Sequence, residues 1–163
     1  MILAHNNIDQ LKKLVQCLDD VDHEFYIHID KKSKIDITEN DFCLHHSKMH
    51  IFSNFKVYWG DFSMVEVELF LFKIAAKRNF DYYHLLSGQD LPIKPIHEIK
   101  KFYEDNNGKE FIDVSLDFSK TRQVKRRAKY YYFFQKYRKS SNKLFSHIVN
   151  NIVKLLVLIQ ILL

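Results

Sequence analysis

Short apolar runs and apolar stripes of helical spacing alternate along the N-terminal part of the chain. Residues 2–4 and 25–29 are apolar runs of strand length, and the stretch between them carries an apolar stripe. That stripe is formed by Leu11, Leu14, Val15 and Leu18. Asn7, with Gln10 three residues later, is the predicted N-cap of this helix. Strand, helix and strand in about 30 residues predict a βαβ unit with two parallel strands, whose following loops emerge at the same edge of the sheet.

A second helix is predicted after Trp59, which is the only tryptophan of the chain. Ser63 and Glu66 have the spacing of a capping box, and the helix that they open extends to about residue 77. Its broad apolar face is predicted to contain Val65, Leu69, Phe70, Phe72 and Ile74. Trp59 stands just before this helix, where it is either a ring that stacks on a base or sugar or an ordinary core or lid residue.

The stretch FDYYHLLSGQDLPIKP places an acidic residue after a third apolar run. Residues 82–86 predict a buried strand, and the small polar residues that follow predict a tight turn ending at Asp90. Pro95 suits the first turn of a helix over residues 96–103. Ligands of open α/β sheets bind outside the carboxyl ends of the strands. Asp90 is therefore either a site residue or a residue that only caps its turn.

The composition indicates one folded domain with anionic partners. Of the 163 residues, 47% are hydrophobic and 15% are aromatic, enough for a real core. The net charge of +5 and the isoelectric point of about 9.1 favour a nucleotide diphosphate, a nucleic acid or a membrane surface without choosing among them. Cys17 and Cys43 fit no disulfide framework, so both are predicted to be reduced and packed. No secretory signal or membrane anchor is expected at the N-terminal end.

No metal site is predicted from the residue pattern. Asp20 and Asp22 have the letters of a D-x-D motif, but they precede the second strand and so lie at the opposite edge from the expected site. His45, His46 and His50 cluster without matching a ligand spacing.

The composition changes after a predicted strand over residues 110–114, which ends near Asp113. Residues 120–139 interleave basic and aromatic side chains, as a platform for single-stranded nucleic acid does. They also fit an amphipathic segment whose aromatic rings pack on the sheet, and this reading is preferred. Both readings remain open.

Residues 148–163 predict a helix that is apolar nearly all round. Its large aliphatic side chains are Ile148, Ile152, Leu155, Leu156, Ile159 and Leu163. The segment falls short of the roughly 20 residues that span a bilayer. We expect its apolar face to be exposed and to cause self-association or membrane binding. The sequence stops inside this helix, which suggests a piece of a longer protein.

Four blocks in order resemble the core-2/I-branching family of β-1,6-N-acetylglucosaminyltransferases, which includes the peptide O-xylosyltransferases. They are ILAH at residues 2–5, IHIDKKS at 27–33, VYWGDFSMVEVEL at 57–69 and HLLSGQDLPIKP at 84–95. The resemblance implies a GT-A-like α/β fold, with a mostly parallel sheet flanked by helices and truncated at the C-terminus. It implies a UDP-sugar donor and no metal cofactor, with basic side chains at the diphosphate. Residues 1–118 would be the nucleotide-sugar portion and 119–163 the basic-aromatic segment with the apolar helix.

The resemblance also implies roles for single residues. Asp30 would hold the uracil ring, Trp59 would line the donor pocket, and His5 would lie in the loop over the nucleotide. Asp90 would have a structural or donor-side role. Three candidates for the acceptor or diphosphate side follow in the chain: Asp113, Arg122 and Arg126. The catalytic base is expected beyond the chain end.

The expected function is inverting transfer of N-acetylglucosamine or xylose from a UDP-sugar to the hydroxyl of a glycan or polysaccharide acceptor. The expected location is the cytoplasm or the cytoplasmic face of a membrane of a bacterium, with peripheral membrane association and no nucleic-acid partner. The resemblance does not imply that this chain is active alone. A nucleic-acid-binding module through residues 120–139 and an inactive remnant are the alternatives.

Overall fold

The computed structural model describes residues 1–111, 124, 129–138 and 140–162. The strands are β1 (Ile2–Ala4), β2 (Glu24–Ile29), β3 (Lys48–Phe52) and β4 (Leu86–Ser87). The helices are α1 (Ile8–Cys17), α2 (Ser63–Ala75), α3 (Ile96–Asp105) and α4 (Lys143–Leu162), with 3-10 turns at Glu39–Asp41 and Gln135–Tyr137. Strands that alternate with helices confirm the predicted α/β class.

The strands of the described residues form one sheet in the order β3-β2-β1-β4. Every neighbouring pair is parallel, with Ile2 opposite Ile27 on one side and opposite Leu86 on the other. The predicted βαβ unit is thus confirmed. A parallel sheet flanked by helices is consistent with a GT-A-like fold, and it brings the carboxyl ends of all four strands to one edge.

The two faces of the sheet follow from the alternation of side chains along the strands. One face packs on α1, which buries three residues of the predicted stripe, Leu11, Leu14 and Val15, while the fourth, Leu18, is the C-cap residue and is partly buried. Ile2, Ile27 and Ile29 lie in the same cluster. The other face carries Tyr26 and packs on α2. Helices on both faces bury β2 almost completely, which explains its nearly continuous apolar run.

Helix α2 differs from its prediction in two respects. Its N-cap residue is Phe62, so Ser63 is already helical and the predicted capping box is wrong. The predicted apolar face is wrong for Val65, Leu69 and Phe72, which are exposed. Its other two residues, Phe70 and Ile74, pack against the core as predicted. The buried residues are Val67, Leu71 and Ala75. Since the helix is apolar on most sides, the sequence leaves open which side meets the sheet.

The predicted buried strand over residues 82–86 is shortened to β4. Tyr83 and Leu85 are exposed, and β4 pairs with β1 alone among the described strands. The tyrosine hydroxyls instead donate to backbone carbonyls: Tyr82 to Asn106 at 3.2 Å and Tyr83 to Arg78 at 2.8 Å. The rest of this stretch agrees with prediction, since α3 follows Pro95 and ends before Gly108, which has a φ of 78°.

Two compact units make up the chain. The first comprises Met1–Val57 and Phe62–Gly108, and the second comprises Tyr58–Asp61 and Lys109–Leu163. Cys17 and Cys43, both in the first unit, are free thiols. The prediction that they are packed is wrong, because both are exposed.

In the second unit, α4 confirms the predicted C-terminal helix and its exposed apolar side. It buries Val149, Val153 and Val157. Four residues of the predicted stripe are exposed: Ile148, Ile152, Leu155 and Ile159. The helix begins five residues earlier than predicted and has 20 residues. By length and composition alone it is long and apolar enough to cross a membrane. Leu163 lies outside the described residues.

The predicted strand over 110–114 and much of the basic-aromatic segment also lie outside the described residues. Within the described part of the segment, four rings are exposed by 41% or more: Tyr131, Phe133, Phe134 and Tyr137. The prediction that aromatic rings of this segment are packed is wrong for these four.

Candidate functional site

The residues that follow the four strands lie at one edge of the sheet. They are residues 5–7 after β1, 30–32 after β2, 53–55 after β3 and 88–90 after β4, all in the first unit. Because the strands are parallel, Asp30 and Asp90 share this edge with the exposed His5. We call it the carboxyl edge.

Asp30 is buried directly at the end of β2, with 8% of its surface exposed. Its backbone amide donates to the carbonyl of Ala4 at 2.8 Å, which continues the pairing with β1. Its carboxylate Oδ1 accepts two backbone amides, from Lys32 at 2.9 Å and from Val57 at 3.1 Å. The second oxygen, Oδ2, lies 3.6 Å from Nζ of Lys32. Asp30 thus has a structural role that the sequence did not reveal, because Val57 is 27 residues away.

His28, two residues before Asp30 on the same face of β2, holds the same segment. Its Nε2 accepts the backbone amide of Phe55 at 3.2 Å, and the amide of Lys31 donates to the carbonyl of Phe55 at 3.0 Å. Burial lowers the pKa of His28, against an opposing effect of the Asp30 charge. A neutral imidazole that accepts at Nε2 carries its proton on Nδ1. His28 and Asp30 together fasten residues 53–57 to the end of β2.

Asp90 closes the turn that follows β4. Its Oδ2 accepts the backbone amide of Ser87 at 2.8 Å, while its own amide donates to the Ser87 carbonyl at 3.0 Å. Within the turn, the amide of Gly88 donates to the Leu3 carbonyl at 2.8 Å and anchors the turn on β1. Of the two interpretations of Asp90, the structure provides the turn-capping role directly.

Two glutamines connect the loops after β1 and β4. Nε2 of Gln89 donates to Oδ1 of Asn6 at 2.9 Å, and Nε2 of Gln10 donates to the Asp90 carbonyl at 3.4 Å. Asn7 occupies the predicted N-cap position, but it is left-handed with a φ of 51° and its side chain forms no capping bond. The sequence missed these bonds because they join residues about 80 positions apart, and no local pattern reports such pairs.

The remaining candidates lie outside the described part of the first unit. Trp59 belongs to the second unit, and with 74% of its surface exposed it is not a core residue. Three others lie outside the described residues: Asp113, Arg122 and Arg126.

No group of three metal-binding side chains occurs among the described residues. The D-x-D letters lie at the amino end of β2, where Nζ of Lys100 donates to Oδ1 of Asp20 at 2.9 Å and to Oδ2 of Asp22 at 2.5 Å. The bond from Lys100 lowers the pKa of Asp20. These carboxylates are occupied by an ammonium group at the edge opposite the candidate site.

Comparison with known proteins gives a family match over most of the chain. The model of the Core-2/I-Branching enzyme family matches residues 1–151. The chain is also 28% identical over 119 residues to xylosyltransferase sqv-6 of Caenorhabditis elegans, a match that covers 68% of this chain and 14% of that protein. This chain therefore corresponds to a small part of that relative's length. The extent of the family match establishes that the chain belongs to the Core-2/I-Branching enzyme family.

Proposed function

We propose that this chain binds a UDP-sugar at the carboxyl edge of its sheet and serves as a glycosyltransferase. The observation that carries the proposal is the convergence of His5, Asp30 and Asp90 at one edge of a parallel sheet. Family membership supports the same activity class. The name of the C. elegans relative suggests xylose as the sugar, while the resemblance of the sequence blocks, to a family of N-acetylglucosaminyltransferases that includes O-xylosyltransferases, fits either sugar.

Asp30 is the proposed partner of the uracil ring. Two backbone amides occupy its Oδ1 and fix the plane of the carboxylate. Oδ2 remains to accept N3–H of uracil, which a cytosine ring lacks. An acceptor that is already held in place loses little conformational freedom on binding. Lys31 and Lys32 follow in the chain and bring positive charge to this edge, which favours a diphosphate.

The proposed reaction is transfer with inversion. A base takes the proton of the acceptor hydroxyl, the oxygen forms a bond to the anomeric carbon, and the bond from that carbon to the diphosphate oxygen breaks. UDP leaves with the electron pair, and positive charge at the diphosphate stabilises it. We propose that side chains supply this charge without a metal ion. The described residues contribute binding and positioning to this scheme, and none is assigned as the base.

The proposal is tested by calorimetric titration of the full chain with UDP, CDP, UDP-xylose and UDP-N-acetylglucosamine. We expect saturable binding of UDP and weaker binding of CDP, because only uracil presents N3–H to Asp30. The tighter of the two UDP-sugars identifies the donor. Equal affinity for UDP and CDP would contradict the role of Asp30, and no saturable binding by folded protein would contradict the nucleotide site itself. Release of UDP from the bound donor then distinguishes an enzyme from an inactive binding protein.

A further inference from the structure

We propose that α4 and residues 129–138 form a docking surface for an anionic lipid bilayer, with α4 lying along the membrane interface. The inference goes beyond the nucleotide site and does not depend on it. It is based on the side chains that α4 exposes, on the bonds that its polar residues form, and on the absence of Asp and Glu from the sequence after residue 117.

Helix α4 has three distinct sides. One side is buried and carries Val149, Val153 and Val157. A second side, offset by helical spacing, is exposed and aliphatic or aromatic; it consists of Leu144, Phe145, Ile148, Ile152, Leu155, Ile159 and Leu162. A third side is exposed and mainly polar, with Lys143, His147, Asn151 and Lys154. An apolar side bordered by a basic polar side is typical of helices that lie in a membrane interface.

Residues 129–138 are held against α4 by two of its polar side chains, Asn150 and Gln160, which lie on or beside the buried valine side. Gln160 accepts the backbone amide of Tyr131 at 2.8 Å and donates to its carbonyl at 3.0 Å. Oδ1 of Asn150 accepts Nε of Arg138 at 2.7 Å, and its amide nitrogen donates to the Ser146 carbonyl at 2.9 Å. These bonds hold the segment on the helix.

The charged side chains of residues 118–163 are all basic. All 20 Asp and Glu residues of the chain precede residue 118. The described basic residues beyond that point are Lys129, Lys136, Arg138, Lys143 and Lys154. Among them, Lys136 lies 4.8 Å from the ring centre of Tyr137. Exposed tyrosine and phenylalanine rings beside lysines resemble the residues that anchor proteins at the level of lipid headgroups. Each basic residue near an anionic surface adds to the attraction.

A lipid bilayer can interact both with the aliphatic side of α4 and with the basic and aromatic residues of this surface. A nucleic acid would pair with the basic and aromatic residues but would leave the aliphatic side of α4 in water. A second copy of the chain would cover the aliphatic side but would bring two basic surfaces together. An anionic bilayer offers negative headgroups and an apolar interior at once. Because the valine side is covered by protein and the third side carries Lys143 and Lys154, the geometry favours a peripheral position of α4 over a transmembrane one.

The test is co-sedimentation of the full chain with vesicles of phosphatidylcholine, with and without phosphatidylglycerol, at low and high salt. We expect binding to the anionic vesicles, weaker binding to the neutral ones, and a decrease with salt. Ile152→Ser combined with Ile159→Ser should lower the partition coefficient by about tenfold or more, because two side chains would no longer enter the lipid. The matched control is Leu158→Ser combined with Ile161→Ser, which changes two equally exposed aliphatics outside the proposed contact side.

Each other outcome would overturn the proposal. Equal losses in the two double variants would indicate non-specific adhesion. Binding of single-stranded RNA by protein that ignores vesicles would assign the surface to nucleic acid. A dimer in sedimentation equilibrium that the Ile152 and Ile159 changes dissociate, without vesicle binding, would assign it to a second copy. Resistance to alkaline extraction from the vesicles would indicate a spanning helix. Circular dichroism of both variants establishes that they are folded.

Discussion

Gly88 lies so close to Ala4 that a methyl group on Gly88 would come within 2.7 Å of the Ala4 Cβ and 3.3 Å of its Cα. Ala4 is the last residue of β1 and is buried. The glycine therefore lets the turn after β4 approach β1, one of the two inner strands of the sheet. This contact explains, in physical terms, a glycine within the S-G-Q-D block.

Gly88→Ala is expected to destabilise the fold by about 1–3 kcal/mol, because the methyl group must displace β1 or the turn. Ala4→Gly removes the atom that would clash most severely, so the double variant should be more stable than the sum of the single effects predicts. The measurement is the urea midpoint of the single and double variants. Gly108→Ala is the control: its added methyl meets open space, so its cost comes from the positive φ and should not change with Ala4→Gly. Additive effects of Gly88→Ala and Ala4→Gly would contradict the contact.

Asp30→Asn is expected to weaken UDP binding by about 1–3 kcal/mol without unfolding the protein. The amide oxygen of Asn can replace Oδ1 and still accept the amides of Lys32 and Val57. Its NH2 group then stands in place of Oδ2 and faces the N3–H of uracil with another donor. Calorimetry gives the affinity, and the urea midpoint reports the fold. The control is Asp36→Asn, an equal charge change at an exposed position of the following loop. Unchanged UDP affinity in the folded Asp30→Asn protein would remove Asp30 from the site.

The elements predicted best were those whose apolar residues are confined to one side of the helix. Helix α1 has one apolar stripe, and its three buried residues were all identified in advance. Helix α2 is apolar on most sides, so the sequence pattern does not show which residues are buried. Packing on the sheet buries Val67 and Leu71 and leaves Val65 and Leu69 exposed. The run before Ser87 is apolar enough for a strand, but pairing with β1 supports only β4.

The position of the candidate site could be predicted more fully than its interactions. Two parallel strands and their following loops were enough to place Asp30 at one edge of the sheet. That Oδ1 of Asp30 accepts the amide of Val57, or that Gln89 reaches Asn6, depends on how distant loops return to this edge. No periodicity in the sequence contains that information.

Nucleotide binding is expected to be independent of divalent metal, because side chains are proposed to balance the diphosphate charge. UDP affinities measured in EDTA and in manganese should then agree. The control is a variant with Asp20→Asn and Asp22→Asn, the carboxylates bound to Lys100. If manganese raises the UDP affinity of the wild-type chain by about tenfold or more and the variant loses this increase, a metal binds at Asp20 and Asp22 and the prediction is contradicted. A gain that the variant keeps would equally refute metal independence and direct attention to other ligands.

His28 is expected to make the fold less stable as the pH falls below neutrality. Burial lowers its pKa below the ordinary value of 6.5, so the unfolded chain binds this proton more readily than the folded chain does. The contribution of His28 to the free energy of unfolding is therefore complete above pH 6.5, and it is lost as the pH falls below that value and through the lower pKa of the folded state. Protonation of Nε2 would also remove the acceptor of the Phe55 amide and release residues 53–57 from β2.

The measurement compares urea unfolding of the wild-type chain and of His28→Gln between pH 7.5 and 5. Glutamine can still accept the Phe55 amide but does not titrate, so the loss of stability on acidification should be smaller in the variant. The other histidines are present in both proteins, and their effects cancel in the difference. An NMR titration of the His28 ring should give a midpoint below 6.5. Equal pH dependence of the two proteins, or a midpoint above that value, would contradict the buried neutral imidazole at the end of β2.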